Sequence, residues 1–181
     1  MAEKIEIPLS QNKLFLGIGG SLLFVILGVW LFLNVESFQE NSTLFLRNPI
    51  AIRTFGVIAI LFFGATGVFA LKKLFDKKAG LIIDENGITD NSSGGSVGLI
   101  KWSDINEIVT QQVMSTKFLL IHVEDPEKYI GKAKNGMKAK LMKANMKMYG
   151  TPLSIASTTL KCDFGKLETL LKNEFEKNNN E

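Results

Sequence analysis

The sequence predicts a two-helix membrane hairpin followed by one small α+β domain, and three observations carry that prediction. Two long runs contain no charge, Leu14 to Leu33 and Thr54 to Leu71. The composition switches after Lys78: residues 79–181 hold 13 Lys, no Arg and 13 Asp plus Glu. Within that second part, short β-patterned runs precede a helical one. A mean hydropathy of +0.16 beside 22% charged residues is therefore the sum of two unlike parts. This excludes a single soluble globule, a disordered chain and a disulfide scaffold, since the chain has one cysteine.

The first run, LFLGIGGSLLFVILGVWLFL, is twenty residues long. At about 1.5 Å rise per residue it matches the roughly 30 Å hydrocarbon core of a bilayer. It is too long for a signal peptide, lacks a small-x-small cleavage site and is followed by a second run. That second run, TFGVIAILFFGATGVFAL, follows Asn48-Pro49, with Arg53 placed to snorkel toward headgroups. Lys72, Lys73, Lys77 and Lys78 crowd its exit and form a juxtamembrane basic anchor, whereas the loop between the runs has only Arg47 and Arg53. The positive-inside rule then places both termini in the cytoplasm of a multi-pass protein of the plasma (inner) membrane. The expected layout is a cytoplasmic tail over 1–13, spans over 14–33 and 54–71, and a short outer loop over 34–53. A basic linker over 72–79, a cytoplasmic domain over 80–176 and a polar tail over 177–181 follow. Glycosylation patterns at Asn41-Ser42-Thr43 and Asn91-Ser92-Ser93 fall on opposite sides of this topology, so at least one is chance.

Neither run contains Asp, Glu, His or Lys, which argues against an ion path or proton relay. Gly17 with Ser21, and Gly56, Gly64 and Gly67, are small residues that let helices approach closely. Packing of the hairpin on itself is the simpler use; homo-oligomer formation through these Gly-containing helices is the other.

In the cytoplasmic part, Leu81 to Asp84 and Ile88 to Asp90 read as strands joined at an Asn86-Gly87 turn with positive φ values. Asn91 to Gly95 is a loop, and Ser96 to Trp102, Ile105 to Met114 and Phe118 to Val123 are further strands. Leu153 to Ala156 follows Thr151-Pro152 as a later strand. Asp163 is the expected N-cap of a closing helix whose Phe164, Leu167, Leu170, Leu171 and Phe175 recur at helical spacing.

The stretch before the last strand is the most unusual. Asp125-Pro126-Glu127 is a helix start, with a capping carboxylate, a proline in the first turn and an acid near the positive end of the dipole. Ile130, Ala133, Met137, Leu141, Ala144 and Met148 then form one apolar stripe, with Gly131 and Gly136 as points where the helix can break. Lys128, Lys132, Lys134, Lys138, Lys140, Lys143 and Lys147 surround it, and no acid occurs between Glu127 and Asp163. The regular stripe fits packing on the sheet, which leaves the lysines solvated. Packed or not, the lysines are the candidate contacts for anionic lipid headgroups.

Other chemistry is weakly signalled. Gly94-Gly95-Ser96-Val97-Gly98 matches G-x-S-x-G, with Asp104 and His122 following in order. A hydrolase elbow needs a strand-to-helix turn in a large parallel sheet, and a Gly-Ser loop between short strands is the simpler account. His122 lies in an apolar strand without ligand-spaced partners. Cys162 reads as a small buried thiol, and Met137, Met142, Met146 and Met148 as adaptable packing rather than a metal site. No phosphate-binding glycine loop is present, and the lysines have no arginine among them and only Tyr129 and Tyr149 as aromatic neighbours in sequence, so nucleotide cofactors and nucleic acid are not expected. No constellation of acid, base and nucleophile marks an enzyme.

Two apolar runs, then GLIIDENGITD, then IKWSDINEI over Ile100 to Ile108, resemble an uncharacterised bacterial inner-membrane family with a pleckstrin-homology-like (PH-like) domain. Gly87-Ile88, Trp102-Ser103-Asp104-Ile105, Asp125-Pro126, Tyr149-Gly150-Thr151-Pro152 and the closing helix carry the likeness, which covers nearly the whole chain. It implies a bent antiparallel sheet of about seven strands capped by the C-terminal helix, with the basic helix as an insertion. It implies no reaction and no ligand. The function expected is a non-enzymatic membrane-anchored binding module for anionic lipid or a membrane-protein partner. The alternative is an accessory subunit of a larger membrane complex.

Overall fold

The computed structural model describes residues 4–39, 48–133 and 135–179, which divide into two compact units, Gln11–Asp76 and Met1–Ser10 with Lys77–Glu181. Met1 to Glu3, Glu40 to Arg47, including the Asn41 glycosylation pattern, Lys134, Asn180 and Glu181 lie outside the described residues.

The first unit is a helix pair. α1 (Gln11–Leu33) and α3 (Pro49–Leu74) are each long and apolar enough to cross a membrane. Only 17% and 6% of their apolar windows is buried, unlike the core helix of a soluble globule, which is mostly buried. Both exceed the expected spans. Asn48 accepts a hydrogen bond from Ile50 N at 2.9 Å and Pro49 opens the first turn, so residues expected in the loop, Arg53 among them, are helical. A short helix, α2 (Val35–Gln39), follows α1.

α1 and α3 meet through small residues. A Cβ added at Gly56 falls 2.8 Å from the Gly28 carbonyl oxygen, and one at Gly28 falls 3.0 Å from the Gly56 carbonyl oxygen. One at Gly67 falls 2.6 Å from Ser21 Oγ, which donates to the Ile18 carbonyl at 2.8 Å. Phe24 stacks on Phe63 with ring centroids 4.3 Å apart. Gly56, Gly67 and Ser21 thus serve the pairing read from the sequence, Gly28 is the partner that reading omitted, and Gly17 and Gly64 have open space beside them.

The second unit is α+β. Its first sheet is antiparallel with order β1-β2-β3-β4, formed by Ile5–Ile7, Leu81–Asp84, Gly87–Asp90 and Gly98–Lys101. The N-terminal segment, expected to be a tail, supplies β1: Ile5 pairs with Ile83 and Ile7 with Leu81. Leu9 then bridges Leu160, and Lys161 N donates to the Pro8 carbonyl at 2.9 Å. The strand was hidden because Ile5-Glu6-Ile7 is too short for its alternation to register.

The β2–β3 turn also differs from expectation. Its loop residues are Glu85 and Asn86, and the Asp84 carboxylate accepts from Asn86 N at 2.9 Å. Among the described non-glycine residues only Met114 has a positive φ, so Asn86 does not take the expected value. Gly87 alone does, at +146°, and a Cβ there would run into the Ile100 carbonyl. Trp102, in a 3₁₀ turn over Trp102–Asp104, donates its indole N–H to the Asp84 carbonyl at 2.8 Å and holds this corner shut.

The second sheet is β5-β6-β7, from Ile105–Val113, Thr116–Val123 and Leu153–Ile155, also antiparallel. Side chains from both sheets share one core: Leu81, Ile83, Ile88, Ile100, Leu119, Ile121, Ile155 and Leu160 are buried. The closing helix α6 (Phe164–Asn179) lays Leu167 and Leu171 into that core, one turn apart. Asp163 caps it, accepting from Lys166 N at 2.9 Å, and Thr110 on β5 donates its hydroxyl to Glu168 at 2.5 Å. α6 continues through Lys177 to Asn179, into the expected tail.

Candidate functional site

The basic segment folds as two helices, α4 (Pro126–Gly131) and α5 (Gly136–Tyr149). Asp125 caps the first, accepting from Lys128 N at 3.1 Å. Asn135 caps the second, accepting from Lys138 N at 2.8 Å. Asn135-Gly136 is thus a second helix start, and the helix breaks between Gly131 and Gly136, the two points the sequence marks for it. α5 stops at Gly150, whose φ of +74° lets its N–H reach the Met146 carbonyl at 3.0 Å. Beyond it, Thr151 bonds the Ile121 carbonyl and fixes the entry to β7.

The break changes which face of α5 is buried. Ile130 stays in the core on α4, but α5 packs inward through Met142, only 1% exposed, with Met146 and Tyr149 half-buried. The stripe residues on α5 point outward: Met137 is 70% exposed, Leu141 51% and Met148 63%, with Ala144 also exposed, whereas Ala133, before α5, packs against the core. The expectation that this stripe packs on the sheet is therefore wrong for α5. Its periodicity is helical but its phase faces solvent.

The seven candidate lysines divide along the same line. Lys128 forms an ion pair with Asp104 at 2.6 Å. Lys132 donates to the Leu99 carbonyl at 3.3 Å and lies 4.2 Å from the Tyr129 ring centroid. Lys138 donates to the Ser96 carbonyl. These three tie α4 and α5 to β4 and its flanks. Lys140, Lys143 and Lys147 are exposed on α5, and no ion pair among the described residues includes them. Lys134 is outside the described residues.

At the root of α4, Tyr129 is fully buried and donates to Asp104 Oδ2 at 2.7 Å, while Lys101 N donates to the phenol oxygen at 3.3 Å. The Lys128 ammonium first and the Tyr129 hydroxyl second hold the Asp104 carboxyl below its ordinary range. Burial first and the Asp104 hydrogen bond second raise the Tyr129 phenol. Asp104 is thus committed to a structural clamp. Ser96 Oγ is 3.2 Å from Ser93 Oγ, and His122 is half-buried on β6 beside Gly150. Among the described residues no hydrogen bond joins Ser96, Asp104 and His122. Of the four juxtamembrane lysines, Lys72 and Lys73 lie in the last turn of α3, where the helix dipole favours cations. Lys73 pairs with Asp76 at 3.2 Å, while Lys72, Lys77 and Lys78 are exposed.

No protein-family model, no curated protein and no solved structure matches this chain.

Proposed function

We propose that this protein is a non-enzymatic membrane-anchored binding module: α1 and α3 form the anchor, and the α+β unit binds anionic lipid at the cytoplasmic face. The observation that carries the reading is the set of exposed lysines on α5, Lys140, Lys143 and Lys147, with no acid in the chain between Glu127 and Asp163. Each such lysine near an anionic surface contributes on the order of 1 kcal/mol. Pairing of β1 with β2 supports the hairpin topology, because the chain before α1 and the chain after α3 share one sheet. The positive-inside count supports the cytoplasmic side, and the sheets with their closing helix are compatible with the PH-like fold that the sequence resemblance implies.

The test uses the full chain, because residues 79–181 alone lack β1. The protein is isolated in nanodiscs cut directly from the membrane, and the lipids carried with it are quantified by mass spectrometry. Enrichment of anionic lipid over the bulk membrane, reduced in K140Q/K143Q/K147Q, is the expected result. A lipid composition equal to bulk for both proteins sinks the reading. The accessory-subunit reading has one observation in its favour, the open space beside Gly17 and Gly64. It predicts a stoichiometric protein partner lost on Gly17→Leu or Gly64→Leu, with the lipid profile indifferent to the lysines.

A further inference from the structure

The exposed apolar ridge of α5 has no task in the core. At about 100° per residue, Met137, Leu141, Ala144 and Met148 fall within an arc of roughly 60°. Lys140 and Lys147 border that arc on one side, with Lys143 beyond them. Met142 and Met146 lie on the far side of the helix, where the packing is. Three large apolar side chains more than half exposed on one short helix are not scattered surface residues. A contiguous apolar patch rimmed by charge marks an interaction surface.

We propose that this face of α5 docks on the bilayer as an interfacial helix. Met137, Leu141 and Met148 enter the boundary between headgroups and acyl chains, while Lys140, Lys143 and Lys147 hold anionic headgroups. The inference rests on the anionic-lipid reading above and deepens it from charge contact to insertion. Charge complementarity selects the occupant. A second copy set face to face brings like charges together around the ridge, and the ridge offers no aromatic platform for nucleic-acid bases. An anionic bilayer supplies both a negative surface for the lysines and an apolar layer for the methionines and leucine. Lysine stems reach past the apolar boundary while their ammonium groups stay with the headgroups. Unbranched methionines adapt to a fluid partner. The chain's own apolar helices also keep α5 at high effective concentration near a membrane, so modest affinity per residue suffices.

Three of the other candidate lysines have a different task. Lys128, Lys132 and Lys138 are engaged with Asp104, Leu99 and Ser96 and serve as the mounting of α4 and α5. Changing Lys140, Lys143 and Lys147 leaves that mounting intact.

The test places an environment-sensitive fluorophore on single cysteines in full-length protein carrying Cys162→Ser. Leu141→Cys and Met148→Cys report the ridge, and Thr169→Cys, exposed on α6, is the control. The labelled proteins are reconstituted into bilayers of phosphatidylcholine alone or with phosphatidylglycerol, with and without lipids brominated along the chains. Insertion predicts a blue shift and bromine quenching at 141 and 148 in the anionic bilayer, with neither at 169. Removing the three lysines lowers the ratio of docked to undocked protein on the order of a hundredfold, and the blue shift disappears with it. Labels that remain in water in both bilayers overturn the proposal. If lysine-dependent lipid enrichment persists in that case, charge contact alone survives; if enrichment fails too, the functional reading falls with it. Labels shielded from water yet unreached by bromine also overturn it, because a protein then covers the ridge.

Discussion

The helix pair and the α+β unit obey opposite rules about where apolar side chains go. In α1 and α3 the closest backbone approach between helices is made at glycine and serine, with Phe24 stacked on Phe63, and large residues such as Leu16, Leu61 and Phe62 point outward. Such an arrangement suits a solvent as apolar as leucine itself, where close backbone approach and dispersion drive association. In the α+β unit, Leu, Ile and Val fill the space between sheets and helix, and hydrophobic transfer from water drives packing. α5 belongs by sequence and contacts to the second unit, yet its outer face follows the rule of the first. Exposure of an apolar stripe therefore has to be read against the solvent proposed for it.

The sharpest way to break the contrast is at Gly87. Alanine there must accept a φ of +146° and a Cβ against the Ile100 carbonyl. It is expected to destabilise the α+β unit on the order of 4 kcal/mol, leaving the helix pair paired, as thermal unfolding followed by sheet and helix signals will show.

Next in size is the comparison of buried with exposed leucines. Leu167→Ala removes a fully buried side chain and should cost about 3 kcal/mol. Leu141→Ala should change stability by less than about 0.5 kcal/mol in detergent. Equal losses in chemical denaturation would mean that α5 is packed rather than outward-facing.

For the helix pair, Gly56→Ala sets a methyl against the Gly28 carbonyl and should weaken α1–α3 association by about 2 kcal/mol. Gly64→Ala, with open space around it, should not. Energy transfer between labels on the two helices, followed through a detergent titration, separates the two variants.

The smallest effect concerns the clamp at the root of α4. Asp104 is held below its ordinary range, so it takes up its proton at lower pH folded than unfolded. Its contribution is full above the unfolded carboxylate range and is lost as pH falls through the folded value. Because Lys128 is substantially exposed, the pair contributes below about 1 kcal/mol. Asp104→Asn should flatten the acid dependence of amide exchange over 126–131 while leaving exchange in β6 unchanged.

Much of the fold was legible because its signals are local. The uncharged runs, the strands from Leu81 to Val123, and the Asp125 and Asp163 helix starts follow from period, length and capping chemistry within a few residues. The candidate site was legible only as composition. Lys128 and Lys140 look alike in sequence, and one is paired with Asp104 while the other is exposed, because that pairing joins residues far apart in the chain. Ile5-Glu6-Ile7 became a strand only because β2 offered an edge to it. Met114, at φ +53° and 92% exposed, carries no signal for the turn it forms.

By itself the sequence determined the two spanning-length helices, the α+β unit behind them with its basic segment over 128–147, and the amphipathic period of residues 136–149. Those depend on residue type and spacing along one stretch of chain. Tertiary structure alone decided the phase of α5: Met142, rather than Met137 or Leu141, found the core. A helical period fixes that one face is apolar; only the neighbours that a helix meets decide whether that face turns inward.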